Sequence, residues 1–251
     1  MFDNQKYIAI IPARYASVRF PGKPLVKIRG VSMIQRVYEQ ALKAVNLSYV
    51  AVATDHKKIF DHVAAFGKII MTSETLPSGT DRCFEAARTL QKQGLEINDH
   101  DVILNIQGDE PFIDPMQIDE LISCFSNDQV KIATLIKKIS QKEHIQNPNV
   151  VKVVRDIAGN ALYFSRLPIP YKKSDERNDT CNLAVWYKHI GMYAYRYSVL
   201  EQITRLSPSA LERTESLEQL RWLENGFNIH TKVTDMESFG IDVPEDINRF
   251  L

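Results

Sequence analysis

The chain has 251 residues, 44% hydrophobic and 25% charged, with 31 Lys+Arg against 31 Asp+Glu for a formal net charge of +0. That composition excludes a disordered, collagenous or coiled-coil chain, and the charge balance removes the general argument for a binder of nucleic acid or anionic membrane. Cys83, Cys124 and Cys181 form no CxxC pair, which argues against a structural zinc site or a disulfide framework and fits reduced thiols.

In chain order, residues 7–13 (YIAIIPA) predict a buried strand, rich in isoleucine and too short for a helix. Residues 32–44 place Met33, Ile34, Val37, Ala41 and Leu42 on one helical stripe. A second strand over 49–54 ends at Asp55; a helix over 56–66 follows, with Ile59, Phe60, Val63 and Ala64 at helical spacing and Gly67 as its cap. A third strand over 68–72, a third helix over 80–93 and a fourth strand over 101–106 continue the alternation, with a further helix around Asp119 and Leu121. After Pro148 come strands over 150–155 and 161–164. A polar segment over 165–186 contains Pro168, Pro170 and a charged run, and its length suggests a projecting arm, a lid or a subunit contact. A strand over 187–195, a helix over 213–225 closed by Gly226, a strand over 229–233 and a helix over 244–251 complete the chain.

Strand and helix alternating at this spacing predict βαβ crossovers around a parallel sheet, in one domain over 1–251. Ligands of such sheets sit beyond the carboxyl ends of the strands. The loops 14–24, 73–80 and 107–111, together with Asp55, share that edge. No apolar run approaches the ~20 residues that cross a bilayer, and the short apolar stretch 7–12 meets Arg14 with no cleavage pattern. The expectation is a cytoplasmic protein without membrane insertion.

The loop Arg14-Tyr15-Ala16-Ser17-Val18-Arg19-Phe20-Pro21-Gly22-Lys23-Pro24 carries the first chemical signal. Between Asn4 and Tyr38 the cations Lys6, Arg14, Arg19, Lys23, Lys27, Arg29 and Arg36 meet no acid. Converging cationic donors are what a triphosphate requires, so Arg14, Arg19 and Lys23 are candidate phosphate ligands; a solvated basic edge is the alternative. Neither a Walker A loop nor a GxGxxG turn is present.

Asp109, in Gln107-Gly108-Asp109-Glu110-Pro111, leaves a buried strand where a carboxylate can hold a divalent cation on phosphate oxygens. The same residues could simply start the next helix. Asp242, in Gly240-Ile241-Asp242-Val243-Pro244, is either a turn cap or a second metal ligand. His189 sits beside Tyr187, Tyr193 and Tyr195 and could face a polar ligand or be structural. The absence of HExxH and GxSxG patterns gives no support to zinc or serine chemistry.

Residues 10–25 (IIPARYASVRFPGKPL), together with Val52-Ala53-Thr54-Asp55, Ser78-Gly79-Thr80-Asp81-Arg82, the Gln107 motif, residues 161–166, Lys188-His189-Ile190-Gly191, residues 217–221 and Asp242-Val243-Pro244-Glu245-Asp246, resemble the 3-deoxy-manno-octulosonate cytidylyltransferase family, the CMP-Kdo synthetases of Gram-negative bacteria. The resemblance spans residues 8–249. It implies a nucleotide-diphospho-sugar-transferase-like, Rossmann-like α/β fold with a mostly parallel sheet flanked by helices. It also implies a small dimerisation lobe, with an arm near 165–190, and a homodimer.

The implied reaction is CTP + Kdo giving CMP-Kdo and diphosphate for lipopolysaccharide biosynthesis, with Mg2+ as cofactor. Pro12, Arg14, Arg19, Lys23, Ser78, Gly79, Arg82 and Asp109 are implied to bind the nucleotide, with Arg14, Arg19, Lys23 and Asp109 catalytic. Asp109 and Asp242 would hold the metal, and Gln107, Arg166, His189, Tyr193, Glu218 and Gln219 would face the sugar acid. Asp81 stands where the pattern expects Glu, and Val243 where it expects Thr. An 8-amino-Kdo enzyme, a CMP-sialate synthetase and a non-catalytic CTP-binding module are the alternatives.

Overall fold

The computed structural model describes residues 5–16, 20–172 and 186–250, with side chains described through residue 247. Arg19 and residues 173–185 of the expected arm lie outside the described residues. The chain opens with β1 (Tyr7–Ala13), a 3-10 turn (Lys23–Leu25), a ribbon of β2 (Lys27–Ile28) and β3 (Val31–Ser32), and α1 (Met33–Ala41). There follow β4 (Tyr49–Thr54), α2 (Lys57–Ala64), β5 (Ile69–Met71), α3 (Gly79–Lys92), β6 (Val102–Asn105) and α4 (Pro115–Ser123). The later half comprises β7 (Ile132–Lys138), α5 (Lys142–Gln146), β8 (Lys152–Arg155), β9 (Ala161–Ser165), β10 (Tyr187–Arg196), α6 (Tyr197–Thr204), α7 (Ala210–Glu215), α8 (Gln219–Glu224) and β11 (Ile229–Val233). A 3-10 segment (Pro244–Phe250) ends it.

Among the described residues one sheet has the order β11-β7-β10-β6-β1-β4-β5, with β8 beside β10 and β9 beyond β8. β1, β4, β5 and β6 run parallel, as do β7 and β11. β10 is antiparallel to β6, β7 and β8, so the expected parallel sheet is mixed in its second half. From β1 the chain steps outward through β4 to β5, then returns to β6 on the other side of β1. That reversal opens a crevice at the carboxyl ends of β1 and β6, the place where such sheets bind ligands.

A parallel strand buried on both faces must be apolar on both. Ile8 and Ile10 of β1 face a core with Cys83, Ala86 and Leu90 of α3 and Leu200 of α6, while Ala9 and Ile11 face Ile34 and Val37 of α1 and Leu121 of α4. The caps follow from side-chain chemistry. Ser32 accepts from Gln35 N, His56 from Lys58 N and Ser78 from Asp81 N at the starts of α1, α2 and α3.

Three expectations are corrected. The single helix over 213–225 is two helices, α7 and α8, because Ser216 takes a left-handed conformation at φ 53. The terminal helix is a 3-10 segment. Gly67 is required by packing: a Cβ there would lie 2.7 Å from the ring of Tyr38.

Candidate active site

Tyr15 braces the loop after β1. Its ring stacks on His56 at 4.0 Å between centroids, and its carbonyl accepts from Gly22 N at 3.0 Å. Gly22 has φ 70, a conformation glycine adopts without strain, and this turn delivers Lys23 to the crevice. Arg14 donates to Leu76 O at 2.9 Å, joining this loop to the one before α3.

Lys23 is the hub. Its Nζ lies 2.6 Å from Asp109 Oδ2 and 3.7 Å from Asp242 Oδ1, and it donates to Ile241 O at 2.9 Å. The backbones are tied as well, with Ile241 N donating to Asp109 O at 2.9 Å. The turn bearing Asp109 passes so close to β1 that a Cβ on Gly108 would stand 2.7 Å from Pro12 O. Asp246 accepts from the backbone N–H groups of Asp242 and Val243 and fixes that turn.

Two carboxylates drawn toward one ammonium are hard oxygen donors suited to Mg2+, which takes one or two protein carboxylates and completes its shell with phosphate oxygens and water. Among the described residues no group of three or more His, Cys, Asp and Glu could hold a metal. The donor set therefore fits a cation that a phosphate substrate helps to bind.

Beside this pair lies a cavity of about 760 Å³ lined by Asp109, Asp242, His189, Gly191, Lys188 and Asn147, among others. His189 Nε2 stands 3.0 Å from Thr134 Oγ1, and its ring packs between Phe164 and Tyr193. That desolvation pushes its pKa down to about 3, so the imidazole is neutral at physiological pH. Gln107 donates to Gly191 O at 3.1 Å. Tyr193 is buried against Trp222, and its hydroxyl has no hydrogen-bond partner among the described residues. Glu218 accepts from Ser78 Oγ at 2.8 Å and Thr80 Oγ1 at 3.1 Å, and burial raises its pKa. Gln219 is buried at the start of α8. Gly79 begins α3 against Pro12 and Asn105.

Two expected ligands are engaged elsewhere. Arg82 is 0% exposed and supports the crevice from beneath, with Nη2 on Asp55 at 2.6 Å and Nη1 on Thr72 at 2.5 Å. Arg166 spends its guanidinium on the carbonyls of Glu215, Pro148 and Ser216. Sequence reasoning passed over Glu110, which is buried and accepts from Ser238 Oγ at 2.5 Å. Burial pushes its pKa up to about 7. The motif around Asp109 held the signal for it, and Lys188 lies in the motif of His189; nothing local marked Glu237.

A switch-point crevice in which a basic loop meets an acid pair is suited to a nucleotidyltransferase, and the comparisons give that class. A family model described as Cytidylyltransferase matches residues 8–235. The 3-deoxy-manno-octulosonate cytidylyltransferase of Cytophaga hutchinsonii is 52% identical over 99% of this chain and 98% of its own. That of Parabacteroides distasonis is 51% identical over 98% and 97%. The solved structure of CMP:2-keto-3-deoxy-manno-octonic acid synthetase complexed with CTP superposes with a TM-score of 0.86 at 41% identity, covering 98% of this chain and 96% of that one. The 4-diphosphocytidyl-2C-methyl-D-erythritol synthase of Anaerococcus prevotii, at TM-score 0.61 and 14% identity, shares the fold. The chain belongs to the 3-deoxy-manno-octulosonate cytidylyltransferase family.

Proposed function

We propose that the protein transfers a cytidylyl group from CTP to 3-deoxy-manno-octulosonate (Kdo), giving CMP-Kdo and diphosphate. The observation that carries this reading is the approach of Asp109 and Asp242 to one cation, Lys23, at the β1/β6 crevice. The names of the relatives and of the CTP-complexed neighbour support the substrates.

The anomeric hydroxyl of Kdo attacks the α-phosphorus in line; an O–P bond forms, the bond to the β-phosphate breaks, and the hydroxyl proton is released. Little covalent work is left to the protein, so positioning and charge neutralisation dominate. Arg14, Arg19 and Lys23 hold the triphosphate and take up charge on departing diphosphate. Asp109 and Asp242 would hold Mg2+, which when bound would supply Lewis-acid polarisation of the α-phosphoryl group. Pro12, Ser78 and Gly79 shape the nucleotide side of the crevice, with Arg82 bracing it from below. Gln107, neutral His189, Tyr193, Glu218 and Gln219 serve the sugar hydroxyls, while Arg166, committed to backbone carbonyls, is left with a structural role. The protein acts as a homodimer, and the setting is the cytoplasm. Among the described residues no helix is long and apolar enough to cross a membrane.

The test is diphosphate release from purified protein with CTP and Mg2+, with and without Kdo, and with 8-amino-Kdo or sialic acid in its place. Kdo-dependent release is expected. Release with only one of the analogues would reassign the acceptor, and CTP binding without release would reduce the protein to a binding module.

A further inference from the structure

Three lysines stand abreast across three strands. Lys188 of β10 is in register with Lys137 of β7 on one side and Lys152 of β8 on the other. Directly opposed residues share a sheet face, and like charges placed so repel. Lys152 is fully buried and turns its ammonium onto the carbonyls of Asn147, Val150 and Arg166. Lys137 and Lys188 share a carboxylate instead: Glu237 Oε2 lies 2.5 Å from Lys188 Nζ, and Oε1 3.4 Å from Lys137 Nζ.

Glu237 is not part of the sheet. It belongs to the segment 234–243, which leaves β11 and carries Asp242. Other tethers hold the same segment: Thr234 N donates to Ile136 O, Lys137 Nζ to Asp235 O, Ser238 Oγ to Glu110, and Ile241 N to Asp109 O. A pair of metal ligands drawn from two segments works only as well as the more loosely held segment is ordered, because ordering costs conformational entropy.

We propose that Glu237 is a positioning residue for the cation site: by bridging Lys188 and Lys137 it latches the 234–243 segment to the sheet and sets Asp242 opposite Asp109. The inference rests on the reading of Asp109 and Asp242 as the metal pair. Removing the carboxylate leaves two opposed ammonium groups without their shared counter-charge and loosens the chain ahead of Asp242, which the remaining tethers hold less firmly.

The test is Mn2+ binding in the presence of CTP, followed by electron paramagnetic resonance, for the wild type, Asp109→Asn, Glu237→Gln and Glu237→Asp. Glu237→Gln weakens Mn2+ binding about tenfold or more, the usual cost of losing a partner behind a metal ligand, and the charge-retaining Glu237→Asp recovers part of the loss. Glu237 is 39% exposed, so no core is hollowed and the thermal midpoint stays near the wild-type value. Unchanged Mn2+ affinity in Glu237→Gln, with Asp109→Asn weakened, would overturn the latch alone. A raised KM for Kdo at unchanged Mn2+ affinity would also overturn it, making the lysine–glutamate group a substrate contact. Mn2+ binding indifferent to Asp109→Asn would remove the metal pair and the latch with it.

Discussion

Lys23 brings one positive charge to two carboxylates, Asp109 at 2.6 Å and Asp242 at 3.7 Å. A divalent ion shared with phosphate oxygens would answer that negative charge more fully, so under the proposed mechanism the acid pair matters most when charge shifts in the transition state. Asp109→Asn keeps the shape of the side chain and an acceptor for Lys23 but removes the charge. Turnover should fall by roughly a hundredfold or more, the scale seen when a transition-state charge partner is lost, while the KM for CTP moves much less. Steady-state diphosphate release across a magnesium titration measures both. Near-normal turnover at saturating magnesium would refute the metal role. The segments that bring Lys23, Asp109 and Asp242 together could be picked out from the sequence because each is a distinctive turn. Arg82 lies in an equally distinctive motif, yet is spent on Asp55 and Thr72. A motif identifies the segment, but only packing decides whether a side chain faces ligand or interior.

At the scale of elements, Arg82 is the joint that sets β4, β5 and α3 against one another. Its guanidinium reaches from α3 to Asp55 beyond β4 and to Thr72 beyond β5, and all three meet under the crevice. Asp55 is itself only 14% exposed. Arg82→Met fills the volume but strands that carboxylate. Breaking a buried pair in this way costs about 3–5 kcal/mol, which for a chain of this size lowers the thermal midpoint by roughly 10 °C. Calorimetric scans of the two proteins would show it, and a shift under 2 °C would mean that Asp55 is solvated well enough to need no partner. The same scale explains what the sequence concealed. The residues of β7 (IATLIKK) end in lysines whose partners are distant in sequence, and no local period distinguishes them. The break between α7 and α8 falls at Ser216, which carries neither the glycine nor the proline that normally announces one.

For the whole molecule, the parallel half was readable because strands apolar on both faces leave few alternatives, whereas the direction of β10 has no local signature. That antiparallel strand places His189 half-buried at the cavity wall beside Thr134, and this has a consequence for global stability. The folded-state pKa of about 3 lies below the unfolded value of 6.5, so the unfolded chain binds the proton first and stability falls as pH drops below 6.5 toward 3. One pH unit below the unfolded value the cost is about 1.4 kcal/mol. Glu218 acts with the opposite sign: its raised pKa favours the fold at low pH, an advantage lost as pH rises from 4.5 through the raised value. Because the two windows overlap, the wild-type profile alone cannot separate them. His189→Gln removes only the histidine contribution. Urea denaturation at pH 7.5 and pH 5.5 should show the wild type losing about 1.4 kcal/mol more than the variant between those values. Equal losses would mean that His189 is solvated in the folded protein, and with that its proposed role as a neutral hydrogen-bonding group toward the sugar would fail too.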